Sequence, residues 1–319
     1  MRVLSIQNEP LLQLRYLNAA RGGGSEVRRL RVELAHVEGL PAGLEALVAT
    51  ADLQGVVPDP ISRASTLLGV AVVDALEGLA AEGSIPSLAD TGAVLAGDLY
   101  SVPAADRRGG FGDVRPVWAA FASSFRWVAG VAGNHDDVSR VRGISGAHLL
   151  DVDCVELDGL RLAGVGLIAG NPAKPGRRSE EDQLARIERV CEERPDLLLL
   201  HEGPSGGSNQ GGNERISAQL AKRPPGLVVC GHEPWSAVLS ERPPTCMNVC
   251  ERVLVLTEDC PRQESHFTRT SKVSRNEAAL VAGSRNGLRG CEIAVPPKRR
   301  TSSYEIPAEA SFGSSAGQR

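Results

Sequence analysis

Short apolar runs recur along the chain, and each stops at a polar cluster. Leu44 to Ala51, Ala93 to Ala96, Trp127 to Ala132, Leu197 to Leu200 and Leu227 to Cys230 are each the right length for a buried strand. Between the first two, Ile61 to Glu82 carries Leu67, Val70, Ala71, Val73, Leu76 and Leu79 at mostly helical spacing, which predicts a helix. Strand, loop, helix, strand is the parallel-sheet unit, because parallel neighbours need a crossover. Pro116 opens a short helix through Phe125, its missing N–H costing nothing in a first turn.

Other segments follow a different rhythm. Cys154 to Leu157 and Leu160 to Val165 flank Asp158-Gly159, a tight-turn pair that predicts an antiparallel hairpin and makes a second sheet plausible. Ser179-Glu180-Glu181-Asp182 has the spacing of a capping box, opening a helix that runs to about Arg194 and stops at Pro195. Met247 to Val249 and Val253 to Thr257 read as the last strands. At the start, Val3 to Gln7 and Leu30 to Leu34 read as strands around a Gly22-Gly23-Gly24 turn.

These elements divide the 319 residues into three parts: N-terminal strands (1–43) packing on the core, a catalytic α/β domain (44–259) and a tail (260–319). Residues 261–319 hold ten Lys or Arg against five Asp or Glu, a net of +5; with −4 overall, the preceding residues carry −9. Ser, Arg, Gly and Pro dominate that tail, so it is expected to be disordered. A mildly acidic core excludes any global attraction to nucleic acid or to an anionic membrane.

The longest apolar stretch, Leu67 to Ala80, is broken by Asp74 and Glu77 and is too short to span a membrane. Met1 to Pro10 lacks the apolar core of a signal peptide. The seven cysteines form no disulfide framework, which suits a reducing cytoplasm. Cys246 and Cys250 have no second ligand pair nearby, so packing accounts for them better than structural zinc.

The chemistry lies in the polar clusters: Asp52-Leu53-Gln54, Gly97-Asp98, Gly133-Asn134-His135-Asp136, His201 and Gly231-His232. All follow predicted strands, and in open α/β sheets the C-terminal strand edge is where loops converge on ligands. Carboxylate, amide and imidazole donors together suit Mn, Fe, Zn or Ni. Two such ions about 3.5–4 Å apart clamp a phosphoryl group and activate water. His36, His148 and His266 match no cluster.

In order and spacing these clusters resemble the calcineurin-like metallophosphoesterases, whose pattern runs D-x-H, G-D, G-N-H-D/E, H and G-H-x-H. The chain reads ADLQG, AGDLY, AGNHDD, LLHEG and CGHEPW at these places, from Asp52 to about Thr257. The resemblance implies a four-layer α/β/β/α sandwich of two mixed sheets and a pair of divalent ions. Asp98 would bridge them; Asn134, His201 and His232 would complete one site. His135 would stand beside the phosphate as general acid or transition-state donor, with Asp136 holding its ring.

The other site departs from the pattern. Asp52 matches, but Gln54 and Pro234 stand where the family has histidines. Gln54 either ligates through its amide oxygen or hydrogen-bonds to metal-bound water, and the sequence leaves both open. The resemblance therefore implies one tight site and one weaker site favouring Mg or Mn. The expected function is hydrolysis of a phosphomonoester or phosphodiester by metal-activated water. Its substrate would be a phosphorylated small molecule or nucleotide, since no basic groove or aromatic series supports nucleic acid. The competing expectation is a catalytically weak or inactive binding module of the same fold, for which Gln54 and Pro234 speak.

Overall fold

The computed structural model describes residues 1–58, 64–207 and 210–259. The basic tail expected over 260–319 lies outside them. The protein is mixed α/β, built on a ten-stranded mixed sheet and a five-stranded one. From one edge the larger sheet runs Ala147–Leu149, Trp127–Gly130, Thr91–Leu95, Ala46–Ala51, Arg252–Glu258, Ser25–Glu38, Leu12–Ala19, Val56–Pro58 and Ser65–Leu67. Arg2–Ile6 pairs with Ser25–Glu38 as well. The first four of these strands are mutually parallel, and Arg252–Glu258 joins them antiparallel to Ala46–Ala51.

The smaller sheet runs Cys154–Leu157, Leu160–Val165, Leu197–Glu202, Leu227–Gly231 and Cys246–Asn248. Its first pair is the Asp158-Gly159 hairpin and the rest is parallel. Side chains alternate between its faces as strand geometry requires. Leu197 and Leu199 share a core with Leu47, Ala49, Val94 and Leu254 of the larger sheet, while Leu198 and Leu200 share another with Ile187, Val190, Ile216 and Leu220 on helices. An unbroken Leu run is what a strand covered on both faces demands. Each fully buried leucine contributes about 1.5–3 kcal/mol, so this strand is among the best anchored in the molecule.

The described residues also form four α-helices: α1 (Leu68–Ala81), α2 (Arg115–Ser124), α3 (Glu180–Glu192) and α4 (Glu214–Lys222). Leu68, Val72 and Leu76 of α1 and Val117, Trp118 and Phe121 of α2 form a core with the outer face of the larger sheet. Ser179 caps α3 by accepting the Asp182 N–H at 3.2 Å, and Asn213 caps α4 through the N–H groups of Arg215 and Ile216.

One expectation needs correction, and two elements lie outside those the sequence predicts. The helix expected from Ile61 begins at Leu68, because Ser65–Leu67 is extended and pairs antiparallel with Val56–Pro58; residues 61–63 lie outside the described residues. Leu12–Ala19 is a strand, its alternating Leu12, Leu14 and Tyr16 facing inward beside Ser25–Glu38. The helix α4 adds an element that the periodicity does not predict, being short, with only Ile216 and Leu220 as its apolar anchors. No helix among the described residues is long and apolar enough to cross a membrane.

Candidate metal centre

Asp52, Asp98, Asn134 and His232 each lie just beyond a strand of one sheet or the other, and His201 is the last residue but one of Leu197–Glu202. The backbone there is tightly held. Asp52 (φ 55°), Asp98 (φ 57°) and His232 (φ 69°) occupy the left-handed region, which costs a non-glycine residue on the order of 1–3 kcal/mol. Strain of this kind persists only where surrounding structure fixes it. Gly97 (φ +89°) permits the approach, since a Cβ there would lie 2.5 Å from the Gly133 nitrogen and 2.8 Å from His201 Nδ1.

Asp98 is the centre of the cluster. Its Oδ1 accepts the His135 backbone N–H at 3.0 Å and lies 3.4 Å from His201 Nε2, while its Oδ2 accepts from Gln54 Nε2 at 3.1 Å. His201 is fully buried, and its Nδ1 is 2.8 Å from the Ala96 carbonyl oxygen, so Nδ1 carries the proton that bonds there. Its Nε2 then faces Asn134 Oδ1 at 3.1 Å as well as Asp98. One ligand atom from each of Asp98, His201 and His232 lies within 4.8 Å of the other two. The two imidazoles meet edge to face, with centroids 5.1 Å apart.

Asp136 performs a different task from the one expected. Its carboxylate, almost fully buried, accepts backbone N–H groups from Asp98 (2.8 Å), Leu99 (2.7 Å), Tyr100 (3.2 Å) and Gly133 (2.8 Å). It ties the loop after Asp98 to the Gly133–Asp136 turn and does not hold the His135 ring. That ring is held by Gly110, whose carbonyl oxygen lies 2.6 Å from His135 Nδ1. The Nε2 of His135 faces Asp98 Oδ2 at 3.9 Å, and the side chain is 26% exposed, on the rim of the cluster.

The charges are strongly coupled. Burial disfavours the His201 imidazolium, but the charge and hydrogen bond of Asp98, then Asp52 and the Ala96 carbonyl, outweigh it and raise its pKa to about 10. Burial would raise Asp98, yet His201 and then His135 hold it below the usual carboxylate range. Burial, with the positive His201 beside it, lowers His232 to about 4. Asp52 is pushed by burial up to about 7, His201 opposing and Asp98 adding to the shift, and Asp136 by burial and Asp98 to about 6. In physical terms, His201 Nε2 is the point on which the Asp98 and Asn134 oxygens converge.

Several contributors carry no sequence signal. The Ala96 and Gly110 carbonyls belong to the backbone, and Arg177, whose charge helps depress His232, lies in no motif. The Cys250 thiol hydrogen-bonds Asp52. Beside His232 opens a cavity of about 270 Å³, lined also by Glu202, Asn213, Glu233, Trp235 and Asn248. Glu202 is anchored there, accepting from Ala169 N at 2.7 Å and Asn213 Nδ2 at 3.2 Å.

One carboxylate, one amide oxygen and two imidazoles, gathered in this way, fit a divalent cation of borderline softness. The residues expected around a second cation do not fit in the same way. Asp52 Oδ2 already accepts the His232 N–H at 2.8 Å, Gln54 presents its nitrogen to Asp98, and Pro234 is exposed and offers no donor. Glu233, next in sequence, turns its carboxylate against Gly211.

No protein-family model matches the chain, and no curated protein matches it. Among solved structures it is similar to TT1561 of Thermus thermophilus, at 16% identity and a TM-score of 0.42, covering 68% of this chain and 90% of that one. It is also similar to a protein of unknown function, AQ665 from Aquifex aeolicus, at 12% identity and a TM-score of 0.28, covering 66% of this chain and 95% of that one. Likeness at this level assigns neither a fold family nor an activity.

Proposed function

We propose that the chain is a metal-dependent phosphoesterase of the calcineurin-like type, holding a divalent cation on Asp98, Asn134, His201 and His232. The observation that carries this reading is the His201 ring. With Nδ1 committed to Ala96, its buried Nε2 points at two oxygens that can only accept, and such a grouping requires a positive centre. The sheet-to-sheet core flanked by helix-to-sheet cores on either side supports the four-layer α/β/β/α arrangement.

A bound divalent cation supplies the positive charge that offsets an anionic phosphoryl group and makes water a usable nucleophile near neutral pH. The protein's own groups do the rest. Asp98 and Asn134, fixed through Asp136 and the turn at Gly133, orient the donors. His135 has one ring nitrogen bonded to Gly110 and the other near the site, so a protonated Nε2 donates to the oxygen of the leaving alcohol. The cavity beside His232 receives the remainder of the ester. A phosphorylated small molecule or a nucleotide is the substrate class proposed.

The test is hydrolysis of p-nitrophenyl phosphate and bis-p-nitrophenyl phosphate with Mn, Ni or Mg. Turnover is expected with metal, abolished by chelator, and lowered by about 10²–10⁴-fold in His135→Ala. Turnover unchanged in that variant contradicts the assignment. Gln54 and Pro234 favour a second reading, a binding module of the same architecture; it predicts metal uptake with no turnover of either ester.

A further inference from the structure

The resemblance drawn from the sequence implies two cations, yet around Asp52 the donor set does not assemble. We infer that this protein is built for one cation, and that the Gln54 amide stands in place of the second as a hydrogen-bond donor to Asp98. The inference rests on the proposed binding of a cation by Asp98, Asn134, His201 and His232.

The two oxygens of Asp98 have different partners. Oδ1 faces His201 Nε2, within the cation cluster. Oδ2 receives the Gln54 amide Nε2–H at 3.1 Å, with His135 Nε2 standing further off at 3.9 Å. The opposite amide orientation would set an oxygen against a carboxylate oxygen, so hydrogen-bonding chemistry fixes nitrogen toward Asp98. A carboxylate bridging two cations has both oxygens engaged by positive charge; here one is engaged by a neutral donor. Among the described residues the one grouping of three carboxylate, imidazole or thiol ligands is Asp98, His201 and His232, and Asp52 belongs to no other.

What surrounds Asp52 points the same way. One of its oxygens accepts the His232 N–H at 2.8 Å, and the Cys250 thiol bonds to it as well. These bonds fix the turn that presents the His232 ring to the cluster. Asp52 is thus a positioning residue for a cation ligand, occupied by backbone and thiol donors. Pro234 and Glu233 bring nothing back to it, one lacking a donor and the other turned to Gly211. Gln54 is partly exposed. Its amide, held at the edge of the cluster, would also offer a neutral donor to an oxygen of a bound phosphoryl group, as such donors do in oxyanion sites.

The test is the stoichiometry and spectrum of bound Mn(II) on the full chain. One ion per chain is expected at saturation, with the electron paramagnetic resonance spectrum of an isolated ion and no exchange coupling of the kind two ions about 3.5–4 Å apart display. Gln54→Glu replaces the donor by an anionic ligand of the same length and is expected to raise the stoichiometry from one to two, with coupling. Gln54→His provides the same readout should the glutamate variant melt early. A wild-type protein that takes two coupled ions, or both Gln54 variants folded and still holding one, overturns the inference. No ion on any of these proteins overturns the function proposed above, and this inference with it.

Discussion

The Gly110 carbonyl oxygen lies 2.6 Å from Nδ1 of His135 and so fixes which ring nitrogen faces the cation cluster. Gly110 sits at φ +111°, and a Cβ there would lie 3.2 Å from both Tyr100 and Val102. Gly110→Ala must therefore shift the carbonyl. The expected result is a kcat lower by about 10- to 100-fold with Mn(II) stoichiometry unchanged; steady-state kinetics beside metal titration checks it, and an unaltered kcat removes the loop from the mechanism.

Asp136 satisfies four backbone N–H groups, so its loss acts on the fold before it acts on chemistry. In Asp136→Ala each orphaned donor costs about 1–3 kcal/mol unless water reaches it. Chemical denaturation is expected to show a loss of several kcal/mol and a much weakened Mn(II) affinity. Asp136→Asn, which keeps an acceptor oxygen, should lose less. Near-native stability for the alanine variant contradicts the clamp.

The pH dependence follows from His201 and His232. Without metal, His201 has a folded pKa of about 10 against an ordinary 6.5, so its stabilising contribution is complete below 6.5 and is lost as pH rises through 10. His232, depressed to about 4, contributes in the opposite sense: its share is present above 6.5 and is lost as pH falls toward 4. In chelator the melting temperature should fall from neutral pH toward pH 10, and added Mn(II) should reverse that fall.

Cation binding must also displace the His201 proton. At pH 8, calorimetry in buffers of differing ionisation enthalpy is expected to report about one proton released per ion. Release near zero would mean that the ring is already neutral, or that it does not ligate.

The larger features of the fold were legible because burial leaves a plain trace. The Leu197 to Leu200 run, the Asp158-Gly159 hairpin and the Ser179 cap correspond to structure within a residue or two. Weaker traces failed where propensity was local and packing decided. Ser65–Leu67 joins a strand that the helical period of Leu67 to Leu79 conceals, and α4 is too short for its period to register. At the site, residue types revealed which side chains gather, whereas the partners of Asp136 and His135 are backbone groups brought close only by the chain's path. The orientation of Gln54 depends on its neighbour Asp98, which spacing alone does not encode.

The left-handed backbone at Asp52, Asp98 and His232 bears on how this centre can be altered or inherited. Asparagine tolerates that conformation nearly as well as aspartate, whereas alanine and β-branched residues resist it. At the two aspartates, replacement by asparagine thus isolates the loss of charge from the loss of shape. A lineage abandoning the chemistry while retaining the architecture would be expected to pass through asparagine or glycine at these three places.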